Sequence, residues 1–355
     1  MKKANHSAGS IVLVRAEYVL LYIAFLRQLG TPVERELRRA RLPTLIEEMP
    51  DSFVSMDLAF RFLTHCSMSE GIDDIGFEAG WDVSLDAFSD SMTRALRNAP
   101  TPRSRLEVFK RLLTLEDTGV RCELHPEGDM IRICLGQYTP PDGDSRIAEW
   151  LNLKAVIEVI RTWMGPDWLL PVVGLESRLS VSNSIRDRLS SVRLLTGQSV
   201  PFVMVPSHVL SMPIDGYDAF ASAPGIVQAT REERNLVSLE DEDLVNRLTM
   251  ALAPYLASSY PPIDLAAEIA GTSVRNLQRQ LSQMRTSYTE LIERIRFDQA
   301  IRLLRDSDLK ILDIALDLGY SDASNFARAF RRISGTSPRE LRRQLQAETD
   351  SRSVA

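Results

Sequence analysis

The chain has 355 residues, 44% of them hydrophobic and 25% charged, with a formal net charge of −6. The length predicts two domains of ordinary size, since a single hydrophobic core rarely grows beyond about 250–300 residues, and the composition excludes extended disorder. The acidic total does not exclude a nucleic-acid partner, because residues 1–260 hold 27 Lys+Arg against 35 Asp+Glu whereas residues 261–346 hold 14 against 11.

Near the N-terminus, "YVLLYIAFL" (18–26) is an apolar run of only nine residues, approached through Arg15 and Glu17 and followed by no small-residue cleavage site. A signal sequence or a membrane span, which needs about 20 apolar residues, is therefore not expected; the run predicts a buried helix in a cytoplasmic protein. Residues 12–115 repeat apolar side chains at three and four, as helices do. The period then changes to two in "GVRCEL" and "MIRICLG", which predicts a β-hairpin around a four- to five-residue turn in "HPEGD". A helix at 146–163 and strands at "PVVGLES" and "PFVMV" complete an α+β N-terminal domain, 1–212. Residues 213–240 lack a sustained period and carry Gly, Pro and Ala, as a linker does. Beyond them an all-α domain is expected over 241–346, with a disordered tail at 347–355.

Cys66, Cys122 and Cys134 are an odd number at spacings that match no zinc or redox motif, so buried thiols are expected. His65, His125 and His208 are too dispersed for a metal or nucleophile motif. No catalytic residue, metal or cofactor is expected. Trp81, Trp150, Trp163 and Trp168 could line an apolar effector pocket, but core packing is the commoner use.

The informative feature is a repeat. "AEIAGTSVRNLQRQL" (267–281) and "ALDLGYSDASNFARAF" (315–330) each place Ala, then Gly four residues later, then Ser two after that, then alternating large apolar residues and Arg. The small Ala lets two helices cross closely, Gly271 and Gly319 permit a left-handed turn, and Ser273 and Ser321 can cap a second helix. That predicts a helix-turn-helix, twice. In the first copy Val274, Leu277 and Leu281 share the inner face, with Arg275, Gln278, Arg279 and Ser282 outside. In the second, Phe326, Phe330 and Ile333 are expected inside, with Ser324, Asn325, Arg328, Arg331 and Arg332 outside. Such helices suit major grooves: amide and guanidinium groups read base edges, while Ser273, Ser321, Arg331 and Arg332 are candidates for phosphate contact. Between the copies, "TSYTELIERIRFDQAIRLLRD" runs without a breaker from Ser287 to about Arg305. It predicts a rod of roughly 27 Å, suited to holding two reading helices about one DNA turn, near 34 Å, apart.

These residues, and above all "ILDIALDLGYSDASNFARAFRRISGTSPRELR" (311–342), resemble the DNA-binding domain of the AraC/XylS family of bacterial transcription regulators. The resemblance implies that Arg275, Gln278 and Arg279 contact bases in one groove and Ser324, Asn325 and Arg328 in the next. "LRNAPTPRSRLEVFKRL", "MGPDWLLPVVGLES" and "LTGQSVPFVMVPSHVL" are similar to the arabinose-binding-like effector domains of one branch of the family, which includes ornithine-utilisation regulators. It further implies a one-component regulator of promoter DNA, usually a homodimer, working with RNA polymerase and a small-molecule effector of unknown identity. A fused DNA-repair methyltransferase would need a zinc-cysteine cluster and a Pro-Cys-His motif that the sequence lacks; an N-terminal domain that only dimerises or binds protein remains open.

Overall fold

The computed structural model describes residues 11–81, 83–168, 170–177, 182–212, 214, 244–257 and 260–353. Strand β1 (Leu13–Arg15) leads into α1 (Ala16–Gln28), the expected buried helix, and α2 (Val33–Ala40) follows. β2 (Phe53–Ser55) pairs antiparallel with β1 and opens α3 (Met56–Glu70). Three helices come next: α4 (Ile75–Gly80), α5 (Asp90–Asn98) and α6 (Pro102–Glu116). The last begins with a reciprocal cap between Thr101 and Ser104 and Pro102 in the first turn, where its missing N–H costs nothing.

The hairpin is β3 (Val120–Glu127) and β4 (Met130–Gln137). Its turn is shorter than expected. His125, Pro126 and Glu127 stay in the ladder, opposite Arg132, Ile131 and Met130, and only Gly128 and Asp129 turn the chain, with Gly128 at φ +64°. Pro126 is tolerated because β3 is an edge strand. Helix α7 (Arg146–Met164), β5 (Val172–Gly174), α8 (Asn183–Arg188), β6 (Arg193–Leu195) and β7 (Phe202–Pro206) complete the N-terminal body. The sheet order is β3-β4-β7-β5-β6, antiparallel except for β5 with β6. Strands β1, β2 and β6, three residues each, are additions to the strands expected from the sequence.

The linker expected at 213–240 lies outside the described residues except Ile214. The helical part comprises α9 (Leu244–Leu252), α10 (Ile263–Ile269), α11 (Val274–Gln283), α12 (Tyr288–Asp306), α13 (Ile311–Asp317), α14 (Ala323–Ser334) and α15 (Pro338–Ser353). Helix α15 runs on as far as Ser353. No helix among the described residues is long and apolar enough to cross a membrane.

Buried side chains form one continuous core from Ile11 to Ile295, so the body and the first half of the helical part are packed together. A second core runs from Ala300 to Phe330. The division between these two cores falls inside α12. Polar contacts reinforce the docking: Arg41 pairs with Glu268 at 2.8 Å and Asp264 at 2.7 Å, and Arg61 also pairs with Glu268. The Tyr255 hydroxyl donates to the Arg41 carbonyl at 2.8 Å, and Arg247 donates to the Ile11 carbonyl.

Candidate nucleic-acid interface

The two predicted turns form with the same backbone hydrogen bonds. After α10, Gly271 lies at φ +58° and donates to Glu268 O, while Thr272 N donates to Ala267 O. After α13, Gly319 lies at φ +73° and donates to Leu316 O, while Tyr320 N donates to Ala315 O. A left-handed residue at this point satisfies the last helical carbonyls and swings the chain into the next helix, which is why glycine stands there. Ala267 and Ala315 are buried at the crossings.

The caps differ from expectation in one respect. Ser273 caps α11 by accepting from Asn276 N, as predicted. In the second copy the cap is Asp322, not Ser321: the Asp322 carboxylate accepts from Asn325 N at 2.7 Å. The extra residue of this copy therefore lies between the glycine and the cap, within the turn. Hydrogen bonds from the Asn325 backbone above all, with Ser321 adding to them, hold the Asp322 carboxyl below its usual pKa.

Each second helix divides cleanly into two faces. Leu277 and Leu281 are fully buried in the first copy, as are Phe326 and Phe330 in the second, where Phe330 packs on Phe297 of α12 at 5.0 Å between ring centroids. Ile333, expected inside, is 45% exposed, since α14 outlasts the hydrophobic surface beneath it. Arg275, Gln278, Arg279 and Ser282 are exposed on α11; Ser324, Arg328, Arg331 and Arg332 are exposed on α14. Arg332 is paired with Glu293 of α12 at 2.6 Å. Asn325 is half-buried, with its amide engaged inside the chain. Ser287 and Glu290 form the expected reciprocal cap on α12, and Ser337 caps α15.

Cys66, Cys122 and Cys134 are buried and free. Burial pushes the Cys66 and Cys122 thiols up to about 12, the opposite of what a nucleophile requires. Among the described residues no group of three or more His, Cys, Asp or Glu side chains is gathered to hold a metal. Trp150 is buried, and Trp81, Trp163 and Trp168 pack partly buried against the same core.

Sequence reasoning missed three residues: Thr272, Asn276 and Asp322. The signal was present, since aligning the copies on Asn276 and Asn325, 49 residues apart by number, puts Ser273 opposite Asp322.

Two capped helix-turn-helix units with polar, arginine-bearing outer faces define a helix-turn-helix DNA-binding protein. Comparison with known proteins agrees: residues 266–344 match the family described as "Helix-turn-helix domain". The chain is 35% identical to the ornithine utilization regulator of Pseudomonas aeruginosa over 143 residues, an alignment covering 39% of this chain and 42% of that protein. It is 26% identical to the HTH-type transcriptional regulator VirS of Mycobacterium tuberculosis over 334 residues, 93% of this chain and 96% of that one. The crystal structure of the transcriptional regulator CdpR from Pseudomonas aeruginosa aligns with 88% of this chain and 96% of its own, at 22% identity and a TM-score of 0.41. Over its C-terminal helical part the chain is thus similar to AraC-type helix-turn-helix transcriptional regulators.

Proposed function

We propose that this chain reads two successive major-groove segments of promoter DNA, one with each helix-turn-helix. Arg275, Gln278 and Arg279 meet base edges in the first segment, and Ser324 and Arg328 do so in the second. Arg331 and Arg332, with Ser273 at the start of α11 and Ser321 in the turn before α14, meet the flanking phosphates. The observation that carries this reading is the duplication of one backbone turn and one exposed arginine face, joined by a helix of 19 residues, or roughly 28 Å. That span suits grooves one duplex turn apart, near 34 Å.

The N-terminal body is proposed to bind a small effector, to pair two copies of the chain, and to act in the cytoplasm alongside RNA polymerase. The shared core and the ion pairs of Arg41 and Arg61 support coupling between that body and the first reading unit. Selection of duplexes from a random pool, followed by footprinting, tests the DNA reading: two protected segments about one turn apart are expected, and a single segment would reject the double reading. Thermal-shift screening with amino acids, polyamines and fatty acids tests the effector, since a specific ligand raises the melting temperature.

A further inference from the structure

Each recognition helix carries a hydrogen-bond chain that helix formation does not require. In α11 the Asn276 amide donates to Thr272 Oγ1 at 2.6 Å, and Asn276 Oδ1 accepts from Arg279 Nη2 at 2.6 Å. In α14 the Asn325 amide donates to Ser321 Oγ at 2.8 Å and Asp322 Oδ2 at 2.7 Å, and Asn325 Oδ1 accepts from Arg328 Nη2 at 2.5 Å. We infer that Asn276 and Asn325 are positioning residues that aim Arg279 and Arg328 at the DNA. The inference rests on the proposed reading that these two arginines contact bases.

Chemistry fixes the direction of each chain. Arginine has donors only, so the amide edge facing it must be the oxygen. Around Asn325 the other side is fixed as well, because the Asp322 carboxylate only accepts. The backbone N–H of each asparagine is already held by the cap, so a capped helix would tolerate many side chains here, and asparagine is a poor helix former. The two copies nevertheless keep the same chain through a different hydroxyl, a different cap and a turn of different length.

An asparagine that reads adenine directly presents an N–H and an oxygen lone pair to the base; both N–H groups of Asn325 are engaged within the chain, and Asn276 has already committed one N–H to Thr272 and one lone pair to Arg279. A guanidinium has five N–H donors. Giving one to the asparagine leaves a fork for a guanine edge while removing rotamers that binding would otherwise have to freeze.

The test is a double-mutant cycle with the full chain on a duplex selected by the wild-type protein. Asn276→Ala and Asn325→Ala are each expected to weaken that duplex roughly 3- to 10-fold and flatten preference at one base pair, with melting temperature and affinity for random DNA unchanged. Added to Arg279→Ala or Arg328→Ala respectively, they should cost almost nothing more. Full additivity would overturn the inference and make the asparagines independent contacts. No loss from the asparagine variants, with a clear loss from the arginine variants, would also overturn it while leaving the base reading intact. No loss from either arginine variant would bring down the base reading and this inference with it.

Discussion

Arg279 and Arg328 occupy equivalent positions, three residues beyond Asn276 and Asn325, and both are exposed. Replacing either with Ala is expected to cost roughly 1–3 kcal/mol on the selected duplex and to relax preference at its own base pair. Equilibrium binding to single-base variants of the duplex checks this; unchanged affinity in both variants would remove them from the interface. Arg332 is a different case. Its proposed role as a phosphate contact is expected to show as equal weakening on all sequences and a salt slope flatter by about one unit in Arg332→Ala. Because Glu293 holds its guanidinium in the free chain, DNA must exchange one anion for another. Glu293→Gln should therefore raise affinity on specific and random duplexes alike, and titrations across a salt series would reveal a slope that ignores both substitutions if Arg332 stays with α12.

At the scale of elements, the turns make the sharpest case. Gly271 and Gly319 both sit in left-handed backbone, where a Cβ costs roughly 1–2 kcal/mol. A methyl on Gly271 would enter open space, whereas one on Gly319 would meet Arg296 Nη2 at 3.0 Å. That guanidinium also lies over the rings of Tyr260, at 5.4 Å, and Tyr320, at 5.1 Å. Gly319→Ala is accordingly expected to destabilise more than Gly271→Ala, as urea unfolding would measure; equal losses would mean that Arg296 yields freely. The same elements show how much was legible in the sequence. Glycine, alanine and buried leucine or phenylalanine at fixed offsets revealed both helix-turn-helix units, because those residues answer to local geometry. The second cap was misassigned because Ser321 and Asp322 are adjacent and both can accept from a helix N–H; only the backbone path decides between them. Asn276 was overlooked because its importance lies in what its side chain touches, which spacing alone does not disclose. Ile333 satisfied the helical period yet lies beyond the edge of the core it should have joined.

Across the whole molecule, the surprise for sequence reading is that the body and the first helix-turn-helix share a core. Leu248, Leu252 and Tyr255 are buried within it, so removing residues 1–212 uncovers apolar surface on the first reading unit and leaves the second core intact. Hydrogen exchange on such a fragment should show lost protection in α9–α11 and retained protection in α13–α14; uniform protection would contradict a shared core. The body also carries two buried carboxyls, Asp117 and Glu149, that burial pushes up to about 7 from 3.8 and 4.5. A carboxyl whose pKa is raised on folding keeps its proton while the unfolded chain has released it. Its contribution to stability is full below the unfolded value and declines as pH rises towards the folded one. Stability is therefore expected to fall between about pH 4.5 and 7, and Glu149→Gln to flatten that fall, in unfolding curves taken across this range.

The shaft joining the reading heads has each end cast into a different core, Leu291, Ile292 and Ile295 in one and Ala300 and Leu304 in the other. Inserting a single residue between those anchors would twist one head by roughly 100° against its twin, because an α-helix makes a turn every 3.6 residues. On the proposed double reading, each head would still be intact and able to grip its own groove, yet they could no longer engage the same stretch of promoter in phase.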